Sequence, residues 1–268
     1  MINSICTNPA KPDKSTDAGI IYASRVYNSA TETKCIHRAP SEVTGLAFCI
    51  LLFIAALFFS GPASAADTCQ LTIARLKYGG GGDWYADPSS LPNLARAMTE
   101  RTNLPVCDTI ATVEIMDDRL FRFPFLYMTG HGDVHFTQKE RLRLRKFLLG
   151  GGFLWADDCY GMDKTLRKEI AAMFPENPLT EVPSGHPIYK SKYTLSGLPK
   201  IHEHDGKPAQ GLGVFFDKRL VLFYSYSSDI GDGMEDLDVH HDGEGLHETA
   251  LRMGVNIIAW FFQPKSPR

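Results

Sequence analysis

PFLYMTGHGDVHFTQKERLRLRKFLLGGGFLWADDCYG (124–161) is the stretch that decides the fold. Its opening, Pro124 to Thr129, is almost continuously apolar, as a strand covered on both faces must be. Thr137-Gln-Lys-Glu140 then forms a capping box, in which a hydroxyl and a carboxylate satisfy the first free N–H groups of a helix. That helix runs to about Leu149, with Leu142, Arg145, Lys146 and Leu149 at helical intervals. Gly150-Gly151-Gly152 stops it, and Phe153 to Ala156 is a second apolar strand. Strand, helix and strand in this order make a βαβ unit, which places the two strands parallel in one sheet.

The pattern extends in both directions. Upstream, Gln70 to Tyr78 reads as a strand and Gly79 to Tyr85 as a loop. A helix follows to about Arg101, with Asp87 as its cap, Pro88 in its first turn and Leu91, Leu94, Ala95 and Met98 as its apolar stripe. Thr109 to Ile115 is another strand. Downstream, Asp163 caps a helix through Met173, ended by Pro175. Residues 175–212 read as irregular, with a small insertion around Pro187 to Leu198. Gly213 to Asp217 and Leu220 to Tyr226 pair around Lys218-Arg219, residues 229–245 form a Gly/Asp/His-rich loop, and Leu246 to Phe262 is a closing helix. Alternating strands and helices predict an α/β fold: a mainly parallel sheet with helices on both faces and an antiparallel edge.

The words RLKYGGGGDWY (75–85), YMTGHG (127–132), GGFLWADDCYG (151–161), FYSYSSDIGDG (223–233) and LRMGVNIIAW (251–260) resemble the bacterial domain of unknown function 4159 family over about residues 69–263. The resemblance implies a class I glutamine amidotransferase-like fold, a flavodoxin-like three-layer arrangement. It also implies exported or membrane-associated proteins of Gram-negative bacteria. It carries no activity.

The amino terminus points to the same compartment. Residues 1–42 are polar and lack apolar periodicity, as a disordered or mis-assigned leader would, with initiation at a later codon such as Val26 or Val43. Gly45 to Ser60 carries no charge, and Ala63-Ser64-Ala65 follows it. A spanning helix needs about 20 apolar residues, whereas a signal core is shorter and precedes a small-residue cleavage site. Residues 43–65 are therefore expected to be a signal peptide, or else a retained membrane helix. Residues 66–268 form a single α/β domain facing the periplasm. Contact with the membrane would run only through residues 45–60, if uncleaved.

An oxidising compartment permits disulfides. Cys69 opens the first strand and Cys107 precedes the second, so a βαβ unit sets both at one end of neighbouring strands and predicts their bond. Cys159 is left over. The formal net charge is −3 and no basic stretch stands out, which excludes nucleic acid as the expected partner.

Ligands of parallel sheets bind beyond the carboxyl ends of strands. Four unusual loops fall there: Gly79–Tyr85, Gly130–His135, Asp157–Gly161 and Ser227–Asp232. Amidotransferases carry a nucleophile in Gly-x-Cys-x-Gly. Here Cys159-Tyr160-Gly161 fits, but Asp157 replaces the first glycine, and two acids beside a thiol oppose thiolate formation. Cys159 therefore reads as structural. Asp157 and Asp158 are the stronger signal; with Cys159 and His131 they are the catalytic candidates. Arg75, Arg119 and Arg122 are the cations that would lock the two acids. His131, Asp133, His135 and Asp158 are the candidate ligands of a divalent metal. Asp83, Trp84, Tyr85, Gly130 and Asp229 are candidate binding residues, with Tyr160 and Tyr226 as further aromatic lining. The glycine run 79–82 admits a phosphate-cradle reading, opposed by Asp83. His202, His204, His240, His241 and His247 read as surface or solvated-loop residues.

These readings converge on a non-catalytic binding or assembly module of the cell envelope, whose partner is a small molecule, a sugar or an envelope protein. The alternative is a hydrolase using an Asp/His cluster at the strand ends, with a divalent metal as the possible cofactor.

Overall fold

The computed structural model describes residues 69–263. The leader, the apolar segment and its cleavage site lie outside the described residues. Among the described residues no helix is long and apolar enough to cross a membrane.

Seven strands form one sheet in the order β2-β1-β3-β4-β7-β6-β5. They are β1 (Ala74–Lys77), β2 (Ala111–Glu114), β3 (Phe125–Met128), β4 (Phe153–Asp157), β5 (Thr180–Glu181), β6 (Gln210–Phe216) and β7 (Arg219–Tyr226). Pairing is parallel from β2 through β7 and antiparallel for β7–β6 and β6–β5. The expected parallel sheet with an antiparallel edge is thus present. The β6–β7 hairpin turns at Asp217 and Lys218, both with positive φ (46° and 62°), the two-residue geometry whose twist matches paired strands.

The sheet is covered on both faces because its strands alternate. Phe125, Tyr127, Phe153, Trp155 and Phe223 face one core, shared with α1 (Ser90–Arg101) and α6 (Gly243–Phe262). Leu126, Met128, Leu154, Ala156 and Tyr224 face the other, under α2 (Gln138–Leu149) and α3 (Asp163–Met173). Full burial of such a side chain is worth ~1.5–3 kcal/mol, so two complete cores fix the register.

The capping box at Thr137 and Glu140 forms, as the sequence requires. The buried stripe of α2, however, is Leu144, Phe147 and Leu148; Leu142 is exposed. On α1 the stripe of Leu91, Leu94, Ala95 and Met98 is buried as expected. Its start differs. The N-cap is Ser89, and Asp87 does not cap the helix but sits in a left-handed conformation (φ 55°) with its side chain buried. Glu235 serves this end instead, accepting from the Ser89 N–H (3.1 Å) and hydroxyl (3.0 Å). Met162, not Asp163, is the N-cap of α3. Residues 229–245 are not an open loop: they hold α4 (Ile230–Gly233), α5 (Leu237–His240) and the start of α6.

Cys69 and Cys107 form a disulfide, with Cα atoms 4.9 Å apart. It lies beyond a parallel bridge of Leu71 with Val106, at the amino ends of β1 and β2. A loop of this length is stabilised by about 3–4 kcal/mol in the chain-entropy account.

Candidate functional site

All four expected loops do meet at the carboxyl end of the sheet, in two distinct groups. The first pairs the loops after β1 and β3. His135 N donates to Gly79 O (2.8 Å), Gly82 N to Asp133 O (3.1 Å) and Asp83 N to His131 O (3.1 Å). A Cβ on Gly80 (φ 113°) would lie 2.6 Å from Asp133 O. The glycine run thus permits backbone-to-backbone zipping. The N–H groups of Gly82 and Asp83 are spent there, which counts against the phosphate-cradle reading. Asp83 holds the turn through the His131 N–H and stands 3.2 Å from His131 Nδ1. Gly130 is packed beneath, where a Cβ would fall 2.9 Å from Asp83 O. Trp84 and Tyr85 pack edge to face on each other, 5.5 Å between centroids.

This group keeps the expected metal candidates apart. His131, Asp133 and His135 are exposed, and His135 faces Glu169 at 3.3 Å. Neither metal-compatible cluster among the described residues contains them or Asp158.

The second group is an acid nest at the ends of β4 and β7. Strand alternation sends Asp157 and Asp158 to opposite faces, and both are buried. Asp157 accepts from the Ser225 hydroxyl and from Gly231 N, and lies 3.5 Å from the Tyr127 hydroxyl. Burial pushes its carboxyl up to about 8. Asp158 accepts from Ser227 N (3.3 Å) and Tyr160 N (3.4 Å), and burial raises it as well. The arginines do not lock these acids. Arg75 donates to the main-chain oxygens of Ala86 and Asp87, Arg119 pairs with Asp117, and Arg122 is exposed.

Cys159 is fully buried between Thr129 Oγ1 (2.8 Å) and Asp87 Oδ2 (3.1 Å). Its thiol donates to Asp87, and burial followed by the charge of Asp87 drives its pKa well above the ordinary value. The residue is a hydrogen-bond donor, not a thiolate. Asp87 also accepts from Thr129 (3.0 Å). Burial and the facing Asp232 raise Asp87, so of the two it keeps the proton. Asp232 is lowered: burial opposes this, but His202 and Asp87 outweigh it.

Of the histidines that read as surface residues, His204, His240 and His241 are exposed as expected and His202 and His247 are half-buried, and several of them pair with the acids of the nest. His202 Nδ1 stands 3.3 Å from both Asp229 Oδ2 and Asp232 Oδ2, and its Nε2 is 2.6 Å from Asp242 Oδ1. The Asp229 carboxylate, then that of Asp232, holds the His202 imidazolium up to about 11. His204 Nε2 meets Asp229 Oδ2 at 2.6 Å. His240 Nε2 lies 3.1 Å from Glu235 Oε2 and 3.8 Å from Asp232 Oδ1. His247 Nδ1 is 3.0 Å from Gly233 O, and His241 takes a left-handed turn (φ 58°) in an exposed position. One signal for this group stood in the sequence: Asp229, Asp232 and Glu235 recur every third residue, the spacing that stacks side chains on a helical turn.

Beside the nest opens a pocket of about 210 Å³, lined among others by Asp158, Tyr160, Lys164, His204, Lys207 and Tyr226. The Tyr160 ring stacks on His204 (4.9 Å, 28°). Two of its lining residues, Tyr160 (101°) and Ser227 (52°), have positive φ, as do Asp87 and Asp229 (67°) in the nest. Such conformations cost ~1–3 kcal/mol each and gather where a side chain must be aimed for function.

A parallel α/β domain with an acid and histidine nest at the carboxyl end of its sheet is the class that fold and site define. Within that class, the chain belongs to the family described as Domain of unknown function (DUF4159), whose model matches residues 72–262. No curated protein matches the chain.

Proposed function

We propose that this protein is a non-catalytic binding module of the bacterial cell envelope, which takes a small polar ligand such as a sugar or peptide unit in the pocket between Tyr160 and Tyr226. The observation that carries this reading is the state of Cys159. The one thiol at the strand-to-helix turn is sealed beneath the pocket and donates to a carboxyl group. An amidotransferase-like scaffold is supported by the sheet order and the position of that turn, and the turn has lost the exposed, activated nucleophile such chemistry needs. The pocket is furnished for binding instead. Its volume matches about seven liquid waters, and it offers two tyrosine rings, an imidazole, two ammonium groups and the three carboxyl side chains of Asp158, Asp163 and Asp205. Export to the periplasm of a Gram-negative cell is supported by the apolar segment 45–60, the Ala-Ser-Ala site and the Cys69–Cys107 bond.

One observation favours the hydrolase alternative: Asp158, a carboxyl raised by burial, lies on the pocket wall. Titration of the full chain with a panel of peptidoglycan-derived sugars and peptides, followed by NMR, separates the two. The binding reading expects saturable shifts, lost on Tyr160→Ala, with every ligand recovered intact. Cleavage of a bound ligand, abolished by Asp158→Asn, would establish the hydrolase. Absence of binding across the panel would refute the assigned ligand class.

A further inference from the structure

Two carboxylates in the nest are incompletely satisfied. Asp229 and Asp232 each bury an Oδ1 that has no hydrogen-bond partner, and the Asp232 side chain is only 8% exposed. Buried carboxylate oxygens are otherwise hydrogen-bonded, paired or bound to metal. The charged partners around them are histidines. His202 gives its Nε2 to Asp242, which turns its Nδ1 toward Asp229 and Asp232. A carboxylate behind an imidazole, orienting its other nitrogen, is the outer support of a metal-bound histidine.

From this arrangement we infer that His202, Asp232 and His240 bind a divalent cation of the zinc type, through His202 Nδ1, an Asp232 carboxylate oxygen and His240 Nε2. The three ligand atoms lie within 4.8 Å of one another. His202 Nδ1 is 3.3 Å from Asp232 Oδ2, and His240 Nε2 is 3.8 Å from Asp232 Oδ1. Ligands held tetrahedrally at about 2.0–2.1 Å from an ion stand about 3.3 Å apart. His202 Nδ1 and Asp232 Oδ2 already stand at that spacing, other pairs would contract from as much as 4.8 Å, and the 3.8 Å gap is too wide to be a hydrogen bond. Two imidazoles with carboxylate oxygen suit zinc better than the harder calcium or magnesium, and binding releases to solvent the proton that His202 Nδ1 otherwise carries.

Glu235 lies next to this set but outside it, and would reach a fourth position only by a side-chain shift. Its Oε2 lies 3.1 Å from His240 Nε2, while Ser89 holds its Oε1. The cleft lined by Asp232, Glu235, His240 and Asp242 holds essentially no water-sized space. With Glu235 moved in, four protein ligands in so closed a cleft would make a structural site. The ion would fasten the His202 segment and α5 to α4, which aims His204 through Asp229 at the pocket. The neighbouring set of Asp87, Cys159 and Asp232 is the rival, disfavoured because its thiol already donates to Asp87. The inference goes beyond the binding role and does not depend on it.

The test is zinc titration of the full chain, purified without a polyhistidine tag and stripped with chelator. Calorimetry and elemental analysis should give about one equivalent, with a rise in melting temperature on loading. His202→Gln and His240→Gln should each weaken binding by ~100-fold or more, and Cys159→Ser should leave it unchanged. Less than about a tenth of an equivalent in the native chain, with no thermal shift, overturns the site. So does undiminished binding in both histidine variants, or loss of binding in Cys159→Ser alone. Should the variants fail to fold, Co²⁺ loading of the native chain decides: intense visible bands of tetrahedral nitrogen–oxygen coordination support the site, and their absence overturns it.

Discussion

A methyl group on Gly231 would sit 2.6 Å from the Tyr127 hydroxyl oxygen and press on the Asp87 carboxylate. Neither neighbour can retreat, because Tyr127 is fully buried in the sheet and Asp87 is held by Thr129 and Cys159. Gly231→Ala should therefore destabilise the protein by about 1–3 kcal/mol, the usual cost of overpacking, measured as a lower urea midpoint with unchanged slope. An unaltered midpoint would mean that the nest is looser than its hydrogen bonds imply. At this scale the sequence was a partial guide. Asp157 and Asp158 were legible because a strand end fixes where they stand. Asp87 was not: Asp-Pro before an apolar stripe is the pattern of a helix cap, and only a left-handed φ turns the carboxylate inward. His202 and His204 were hidden for another reason. Their acid partners lie 25–40 residues away, beyond the β6–β7 hairpin, and no local pattern announces such a contact.

Elements were more readable than their faces. Strand, capping box, glycine stop and strand are local signals, and the unit from β3 to β4 formed where they placed it. The buried side of α2 was harder to see. Its sequence carries leucines around much of its circumference, so several stripes fit helical spacing and tertiary contact chooses among them. It chose Leu144, Phe147 and Leu148, and left Leu142 in solvent. Paired substitutions read this choice directly. Leu144→Ala should cost about 2–5 kcal/mol through lost burial and a residual cavity. Leu142→Ala, on the exposed face, should stay within about 0.5 kcal/mol. Equal losses from the two in urea denaturation would place the core side of α2 elsewhere. The first part of the segment 229–245 was misread for a related reason: the glycines and acids of 229–235 look like a solvated loop until the neighbours that bury them are known, whereas 236–245 is largely exposed.

For the whole molecule, the nest makes stability depend on pH. Burial holds Asp157 up to about 8, against an ordinary carboxyl value of 3.8. Between these two values the folded chain keeps a proton that the unfolded chain has lost. Stability must then fall as pH rises, and the contribution of this group is complete below 3.8 and gone above about 8. Asp158, also raised by burial, acts in the same direction. Glu169 and Glu248 act in the other. Both are lowered against the opposing effect of burial, Glu169 by Arg141 and Glu248 by Arg252 and Arg101. Their contributions are present above the ordinary glutamate value of 4.5 and are lost as pH falls below it. The balance places greatest stability in mildly acidic solution, near pH ~5, with a decline toward pH ~8. Urea denaturation of the chelator-treated chain across this range measures it. Asp157→Asn removes one titrating group, so the variant should fall less steeply, by up to the one-proton limit of about 1.4 kcal/mol per pH unit. A variant with the native slope would show that Asp157 is ionised in the fold. The same outcome would remove the physical ground for treating Asp157 as protonated in the folded chain. Cys159 would then be left beside a more negative cluster and still further from a thiolate.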